Sequence, residues 1–310
     1  MTDADDVEAV DAAEHFVAFR TPTFLVEGEG PVILSQPHGG TWVPTRVADT
    51  LNDTGRELAD TDWEIGTLYP ARPPLVPEPA PTGWLARTMG RIKRTEKPPC
   101  VNATVVAARA HRYVVDCNRP PDGASLYPGQ NTTGLCPTTD FDGKPIYLPG
   151  REPDAAEIER RRTLYHAPYH ETLAAQIARV KASNGVALVY DCHSIRSNIP
   201  YLFDGELPVL NIGTAGGTSC DPAIEAVVVE AAEASGYSWV LNGRFKGGWT
   251  TRHYGQPKEG VHAIQMEIAQ RAYMEEAAPW DLDFDKAARL TAVLWPMLAR
   301  LDALVRTLAR

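Results

Sequence analysis

The apolar positions of this 310-residue chain fall into short unbroken runs separated by longer periodic stretches. Val186, Ala187, Leu188, Val189 and Tyr190 follow the turn pair Asn184-Gly185 without a polar interruption, the pattern of a strand covered on both faces. Comparable runs occupy Pro31–Ser35, Ala103–Ala108, Leu207–Thr214, Ser238–Leu241 and Val261–Ala269. Helical periodicities lie between them. Ile158, Leu164, Leu173, Ile177 and Val180 recur among charges from Pro153 to Ser183. Asp221 to Ser235 starts with a proline suited to a first helical turn, and leucines from Leu290 to Leu304 stripe the stretch Asp285 to Arg310. Strands alternating with helices predict an α/β fold with a largely parallel sheet. The length suits one large α/β domain or two small ones, and we read a single domain, 1–310.

The apolar runs end in chemistry. Tyr190 passes directly into Asp191, His193, Ser194 and Arg196, and ligands of open α/β sheets bind at the carboxyl ends of the strands. His193 is therefore placed to hold a metal or move a proton. Pro31–Ser35 runs into Gln36-Pro-His-Gly-Gly-Thr41 and delivers His38 to a loop; alone it reads as a surface histidine, and with His193 as half of a site. His111-Arg-Tyr-Val-Val115 leads to Asp116, Asn118 and Arg119, read as another strand end. An Asn-Arg pair there can grip a carboxylate, the arginine in bidentate fashion; the alternative is an internal salt bridge of Arg119 with Asp116.

Glu267 interrupts the apolar run Val261–Ala269. An acid so placed is costly to bury and has its pKa raised when enclosed, which suits a general base. Asp60, Asp62 and Glu64 crowd the start of Leu58–Tyr69, which reads as a capped helix whose acids serve either as caps or as ligands. His166 and His170 are four apart but flank Pro168 and lack the zinc-protease pattern, so they read as packing. Two histidines and one carboxylate, without thiolate, suit a catalytic zinc that keeps an open position. The residues thus describe a metal-assisted hydrolase of a small carboxylate-bearing substrate, with Glu267 taking a proton from water and arginines holding the anion.

Composition narrows the classes. The net charge of −10 argues against nucleic acid, whose phosphates need a basic face, and requires locally placed arginines for an anionic ligand. The five cysteines are scattered and never spaced as Cys-x-x-Cys, which excludes a disulfide framework and a thiolate zinc site and leaves small buried fillers. No run of ~18 apolar residues could span a membrane, and the acidic N-terminus is unlike a secretory signal, so the cytoplasm is the expected compartment. Residues 1–20 read as a polar arm with a weak helical turn, 70–99 as a proline-rich insertion, and 121–150 as turn-rich. A homo-oligomer is left open.

Seven motifs taken together resemble the N-formylglutamate deformylase (N-formylglutamate amidohydrolase) family. They are Pro37-His-Gly-Gly40, Asp60-Thr-Asp-Trp63, Arg112-Tyr-Val-Val-Asp-Cys-Asn-Arg119, Asp191-Cys-His-Ser-Ile-Arg196, Leu202-Phe-Asp-Gly-Glu-Leu-Pro208, Asn242-Gly-Arg-Phe-Lys-Gly-Gly248 and Gln265-Met-Glu-Ile-Ala269. The resemblance implies hydrolysis of N-formyl-L-glutamate to formate and L-glutamate, the last step of one route of histidine degradation. The alternatives are a zinc amidohydrolase of another N-acyl amino acid and a non-catalytic small-molecule-binding homologue. That family resembles the zinc carboxypeptidases and aspartoacylases, which implies a three-layer α/β/α fold around a mixed sheet and a bound Zn2+, with another divalent transition metal as the alternative. In those relatives a His-x-x-Glu motif ligates zinc; here Thr41 follows His38 by three, so the carboxylate ligand comes from elsewhere. Asp62 is the expected one, with Asp60 and Glu64 as substitutes, beside His38 and His193. Asn118-Arg119 looks like the carboxylate-gripping pair and Glu267 like the late catalytic glutamate. The substrate carries two carboxylates, and Arg252 and Arg196 are the expected partners of the second.

Overall fold

The computed structural model describes residues 21–70, 101–125, 129 and 131–309. Its strands are β1 (Thr23–Val26), β2 (Val32–Gln36), β3 (Thr104–Ala108), β4 (Ala187–Ile195), β5 (Leu210–Gly213), β6 (Trp239–Leu241) and β7 (Val261–Ala269). Among the described residues they form one sheet in the order β1-β3-β2-β4-β7-β5-β6. β3, β2, β4 and β7 run parallel, while β1 and the β5–β6 pair run the other way. The sheet is mixed and largely parallel.

The longer helices are α1 (Ala155–Arg161), α2 (Ala167–Asn184), α3 (Pro222–Ala234) and α5 (Phe284–Thr307), with α4 (Trp249–Tyr254) a short one near the strand ends. Side chains of a strand alternate between faces, and both faces here are covered. Leu188, Tyr190 and Cys192 of β4 share a core with Leu290, Leu294 and Leu298 of α5 and Ile224 of α3. Ala187 and Val189 share another with Leu173, Ile177 and Val180 of α2. This sandwiching of a parallel sheet between helical layers is why β4 reads as an unbroken apolar run. The four described cysteines, Cys117, Cys136, Cys192 and Cys220, are all buried and free, as fillers. No helix among the described residues is long and apolar enough to cross a membrane.

Two expectations need correction. Tyr113, Val114 and Val115 are buried yet form a turn, with the Val114 amide donating to the His111 carbonyl at 2.8 Å. Their apolarity serves packing against Leu51, Ile146 and Tyr147 and the second core, so Asn118-Arg119 lies on a buried loop rather than at a strand end. Asp60 and Asp62 cap no helix: the helical turn is only Ile65–Leu68, preceded by Glu64 at φ 57° with no side-chain cap. The helical region expected after Pro153 runs from Ala155 to Asn184, with a π-turn, Arg162–His166, between α1 and α2. The polar arm 1–20 and nearly all of the 70–99 insertion lie outside the described residues.

That buried loop is braced by Arg161 of α1, whose guanidinium donates to the Tyr147 hydroxyl at 2.8 Å and to the carbonyls of Tyr113 and Val114 at 3.4 Å. Glu157 neutralises it, accepting from Arg161 Nε at 2.7 Å and from Arg160 Nε at 2.8 Å. Burial alone would raise the Glu157 carboxyl, but these bonds outweigh it and hold it at about 2. Glu157→Gln is expected to lower stability by about 1.5–3 kcal/mol at neutral pH, the worth of hydrogen bonds to a charged group. A depressed carboxylate stabilises above its unfolded value and ceases to as pH falls towards its folded one. Thermal melts of the two proteins should therefore differ at pH 7 and converge as pH drops from 4.5 towards 2. A constant difference across that window would show that the charge of Glu157 is not what holds Arg161.

Candidate active site

The parallel register of β4 and β7 pairs His193 directly with Glu267, so both side chains leave the same face near the carboxyl ends of the two central strands. β2, on the other side of β4, ends at Gln36 and delivers His38 two residues later. The glycines after it let the loop pack tightly: a Cβ at Gly39 would stand 2.7 Å from Ile65 Cγ2, and one at Gly40 would overlap the Arg109 carbonyl. The Asp62 amide donates to the His38 carbonyl at 3.1 Å, which fixes the aspartate beside the histidine.

Three potential ligand atoms meet there. His38 Nδ1 lies 3.2 Å from His193 Nδ1, and Asp62 Oδ2 is 3.2 Å from His193 Nδ1 and 3.8 Å from His38 Nδ1. His38, Asp62 and His193 are buried, their ligand atoms all lie within 4.8 Å of one another, and among the described residues they form the one such group. Asp60 and Glu64 do not join it. Asp60 accepts from the Tyr113 hydroxyl and the Phe141 amide, both at 2.8 Å, and Glu64 is exposed, accepting from Thr67 Oγ1.

The outer side of each ring is also engaged. His38 Nε2 lies 2.7 Å from Asp116 Oδ1, and His193 Nε2 lies 3.1 Å from Asp191 Oδ2 and 2.9 Å from the Asn118 amide nitrogen. Carboxylates on Nε2 orient an imidazole so that Nδ1 presents its lone pair inward. Arg112 donates to Asp62 Oδ1 at 2.5 Å. Burial lowers His38, helped by Arg112 and opposed by Asp116. Burial also acts to lower His193, but Asp191, Asp62 and Glu267 together carry it well above its ordinary value. Two inward-facing nitrogens and one carboxylate oxygen thus offer donors to a divalent cation, whose binding would displace any proton on them. The thiolate-free nitrogen and oxygen donors and their carboxylate supports fit zinc.

Glu267 is buried beside this group. Burial pushes its carboxyl up to about 8, with Asp62 and Asp191 adding to the shift and His193 and Arg112 opposing it. Gln265 Nε2 donates to its Oε2 at 3.2 Å.

A cavity of ≈640 Å3, mouth included, opens over these residues and is lined by His38, Asn118, Arg119, His193 and Glu267 among the expected site residues. Asn118 has its amide oxygen held by the Thr250 amide at 2.9 Å and its nitrogen turned to His193. Gly248 packs on it so closely that a Cβ there would overlap the Asn118 side chain. Arg119 leans on Thr133 through its carbonyl at 2.9 Å and its hydroxyl at 3.1 Å. The salt bridge to Asp116, given above as the alternative role of Arg119, is present at 3.7 Å, although Asp116 sits closer to His38. Arg196 and Arg252 do not line the cavity. Arg196 turns to Asp142 at 3.2 Å and Asp60 at 3.6 Å, and Arg252, exposed on α4, donates to the Gly247 carbonyl.

The cavity wall carries instead Arg112 and Arg244, to which the sequence reading gave no role. A signal existed for Arg112, since an arginine amid Tyr113, Val114 and Val115 needs a buried carboxylate partner. Arg244 stands in the glycine-rich loop already marked as basic, where nothing in the spacing favours it over Arg252. His166 and His170 pack as expected, bonding to the carbonyls of Arg119 and Cys117 at 2.9 and 2.8 Å.

Comparison with known proteins agrees with the motifs. The sequence profile of the N-formylglutamate amidohydrolase family matches residues 30–274. An N-formylglutamate deformylase of Pseudomonas aeruginosa is 45% identical over 277 residues, 89% of this chain and 94% of that protein. One from Pseudomonas putida is 43% identical over 278 residues, with the same coverage. The crystal structure of an N-formylglutamate amidohydrolase from Ralstonia eutropha JMP134 has the same fold, with a TM-score of 0.72 at 24% identity over 93% of this chain and 99% of that one. The chain belongs to the N-formylglutamate amidohydrolase family.

Proposed function

We propose that this protein hydrolyses the formyl amide of N-formyl-L-glutamate to formate and L-glutamate, with a divalent metal, zinc in the first place, held by His38, Asp62 and His193. The observation that carries this is the buried carboxyl of Glu267, paired in register with His193 and lining one cavity with His193 and His38, the two histidines of the His-Asp-His group. The activity named for the two Pseudomonas relatives supports the substrate.

A bound divalent cation supplies Lewis-acid polarisation of the amide carbonyl and makes a water more acidic. The chain's own residues do the rest. Glu267 accepts a proton from the attacking water, and its burial raises the affinity of its carboxyl for that proton, as a general base needs. The water oxygen joins the formyl carbon, the C–N bond breaks, and Glu267 passes its proton to the departing amine nitrogen. Arg119 holds a substrate carboxylate. Asp116 and Asp191 accept from the Nε2 atoms of the two imidazoles and keep them aimed, and Arg112 keeps Asp62 ionised and in place.

Formate release by purified protein tests this, on N-formyl-L-glutamate beside N-acetyl-L-glutamate and a glutamyl peptide. Activity should be confined to the formyl substrate, vanish on chelation and return with zinc. Zinc-replete protein that releases no formate, or that prefers the acetyl compound, would sink the proposal.

A further inference from the structure

We infer that Arg244 is the residue that selects an acidic side chain on the formylated amino acid, by binding the side-chain carboxylate of the substrate; this rests on the activity proposed above. The cavity wall holds three arginines, Arg112, Arg119 and Arg244, and their settings differ. Arg112 is committed to Asp62, an inward-facing member of the His-Asp-His group, at 2.5 Å. Arg119 is next in sequence to Asn118, whose amide touches His193, so it stands at the reacting end.

Arg244 comes from the loop between β6 and α4. Its Nε donates to the Leu202 carbonyl at 3.1 Å and its Nη2 to the Asn131 carbonyl at 3.3 Å, with its guanidinium 5.4 Å from the Phe245 ring centroid. These two carbonyls, from two different loops, help to fix the guanidinium plane at the cavity surface. A planar fork held in this way suits bidentate recognition of a carboxylate.

Substrate chemistry assigns the two ends. In an N-formyl amino acid the α-carboxylate is attached closer to the scissile amide than the glutamyl side-chain carboxylate is. With the formyl group at the His-Asp-His group, the α-carboxylate meets Arg119 and the side-chain carboxylate reaches the Leu202–Asn131 wall, where Arg244 is. Phe245 and Leu202 flank that position and suit the methylene groups between. An uncharged side chain of the same shape forfeits the charged contact and leaves Arg244 buried under the ligand without it. That is how a polar pocket discriminates strongly between isosteres.

The experiment compares N-formyl-L-glutamate with N-formyl-L-glutamine in wild-type protein and in Arg244→Gln and Arg244→Lys. Wild type should favour the glutamate compound in kcat/KM. Arg244→Gln should lose about 10–100-fold on it, mainly through KM, the scale of hydrogen bonds to a charged group, and remain within a few-fold of wild type on the glutamine compound. Arg244→Lys, with charge but no fork, should fall between and serves as the deciding variant if Arg244→Gln does not fold. Equal losses on both substrates would reduce Arg244 to a clamp between the loops of Leu202 and Asn131 and overturn the inference, as would no loss on either. Calorimetry of L-glutamate against L-glutamine binding to the same proteins separates this inference from the activity it rests on. A preference for glutamate that disappears in the variants supports Arg244 even if no formate is released, and a preference that survives in them removes it.

Discussion

Glu267→Gln is expected to lower kcat on N-formyl-L-glutamate by about 10²–10⁴-fold, the usual contribution of a positioned acid–base group, while zinc content stays at the wild-type level. Glutamine has the volume of glutamate and can still meet Gln265, which donates to the present carboxylate at 3.2 Å, so the wall is preserved. What it lacks is a site for a proton. Glu267 is outside the group of close ligand atoms formed by His38, Asp62 and His193, so its role separates from theirs: kcat falls, KM changes little, and the metal remains. A variant that loses zinc along with activity would make Glu267 a ligand instead. One that keeps most of its kcat would mean that another group handles the proton.

The second large effect belongs to Asp62. Its two oxygens divide the work, Oδ1 on Arg112 at 2.5 Å and Oδ2 on His193 Nδ1 and the Ser194 amide, both at 3.2 Å. Asp62→Ala removes the carboxylate of the His-Asp-His group and leaves Arg112, itself buried, with no carboxylate in that position. Breaking a buried pair from one side costs about 3–5 kcal/mol. Zinc affinity should fall by more than the about 10–100-fold typical of losing a supporting residue one bond further out. Asp62→Asn separates the two consequences, since it keeps the shape and much of the stability but not the charge. Glu64→Gln, exposed and two residues away, is the control and should change neither. Elemental analysis of the purified variants with thermal melts decides the matter; zinc retained at full stoichiometry by Asp62→Asn, or lost by Glu64→Gln, would place the carboxylate ligand elsewhere.

The parts of the site carried by the sheet were legible in the sequence for a simple reason. β4 and β7 are covered on both faces, so His193 and Glu267 stand out as polar residues in apolar runs, and parallel pairing aligns them. Asp62 was harder. Asp60, Asp62 and Glu64 look alike along the chain, and what separates them is a hydrogen bond from the Asp62 amide to His38 and an arginine fifty residues later. The arginines were legible in number but not in place. Arg196 follows His193 by three, yet Asp60 and Asp142 draw it aside. Arg244 reaches the cavity because the loops of Asn131 and Leu202 close on it, and no local pattern encodes such a meeting. The Asn118-Arg119 loop misled in the opposite sense, since its apolar residues pack as a strand would without pairing as one.

The two kinds of support have a consequence for how such a protein changes over generations. His193 and Glu267 are locked to each other by a ladder of backbone bonds, and a shift of one residue in either strand would turn one of them to the opposite face. Arg119, Asn131 and Arg244 stand on loops, where insertions and substitutions are tolerated. On the roles proposed above for Arg119 and Arg244, a lineage can redraw which acyl amino acid it accepts by editing those loops, one at a time, and leave the strand-borne residues unaltered.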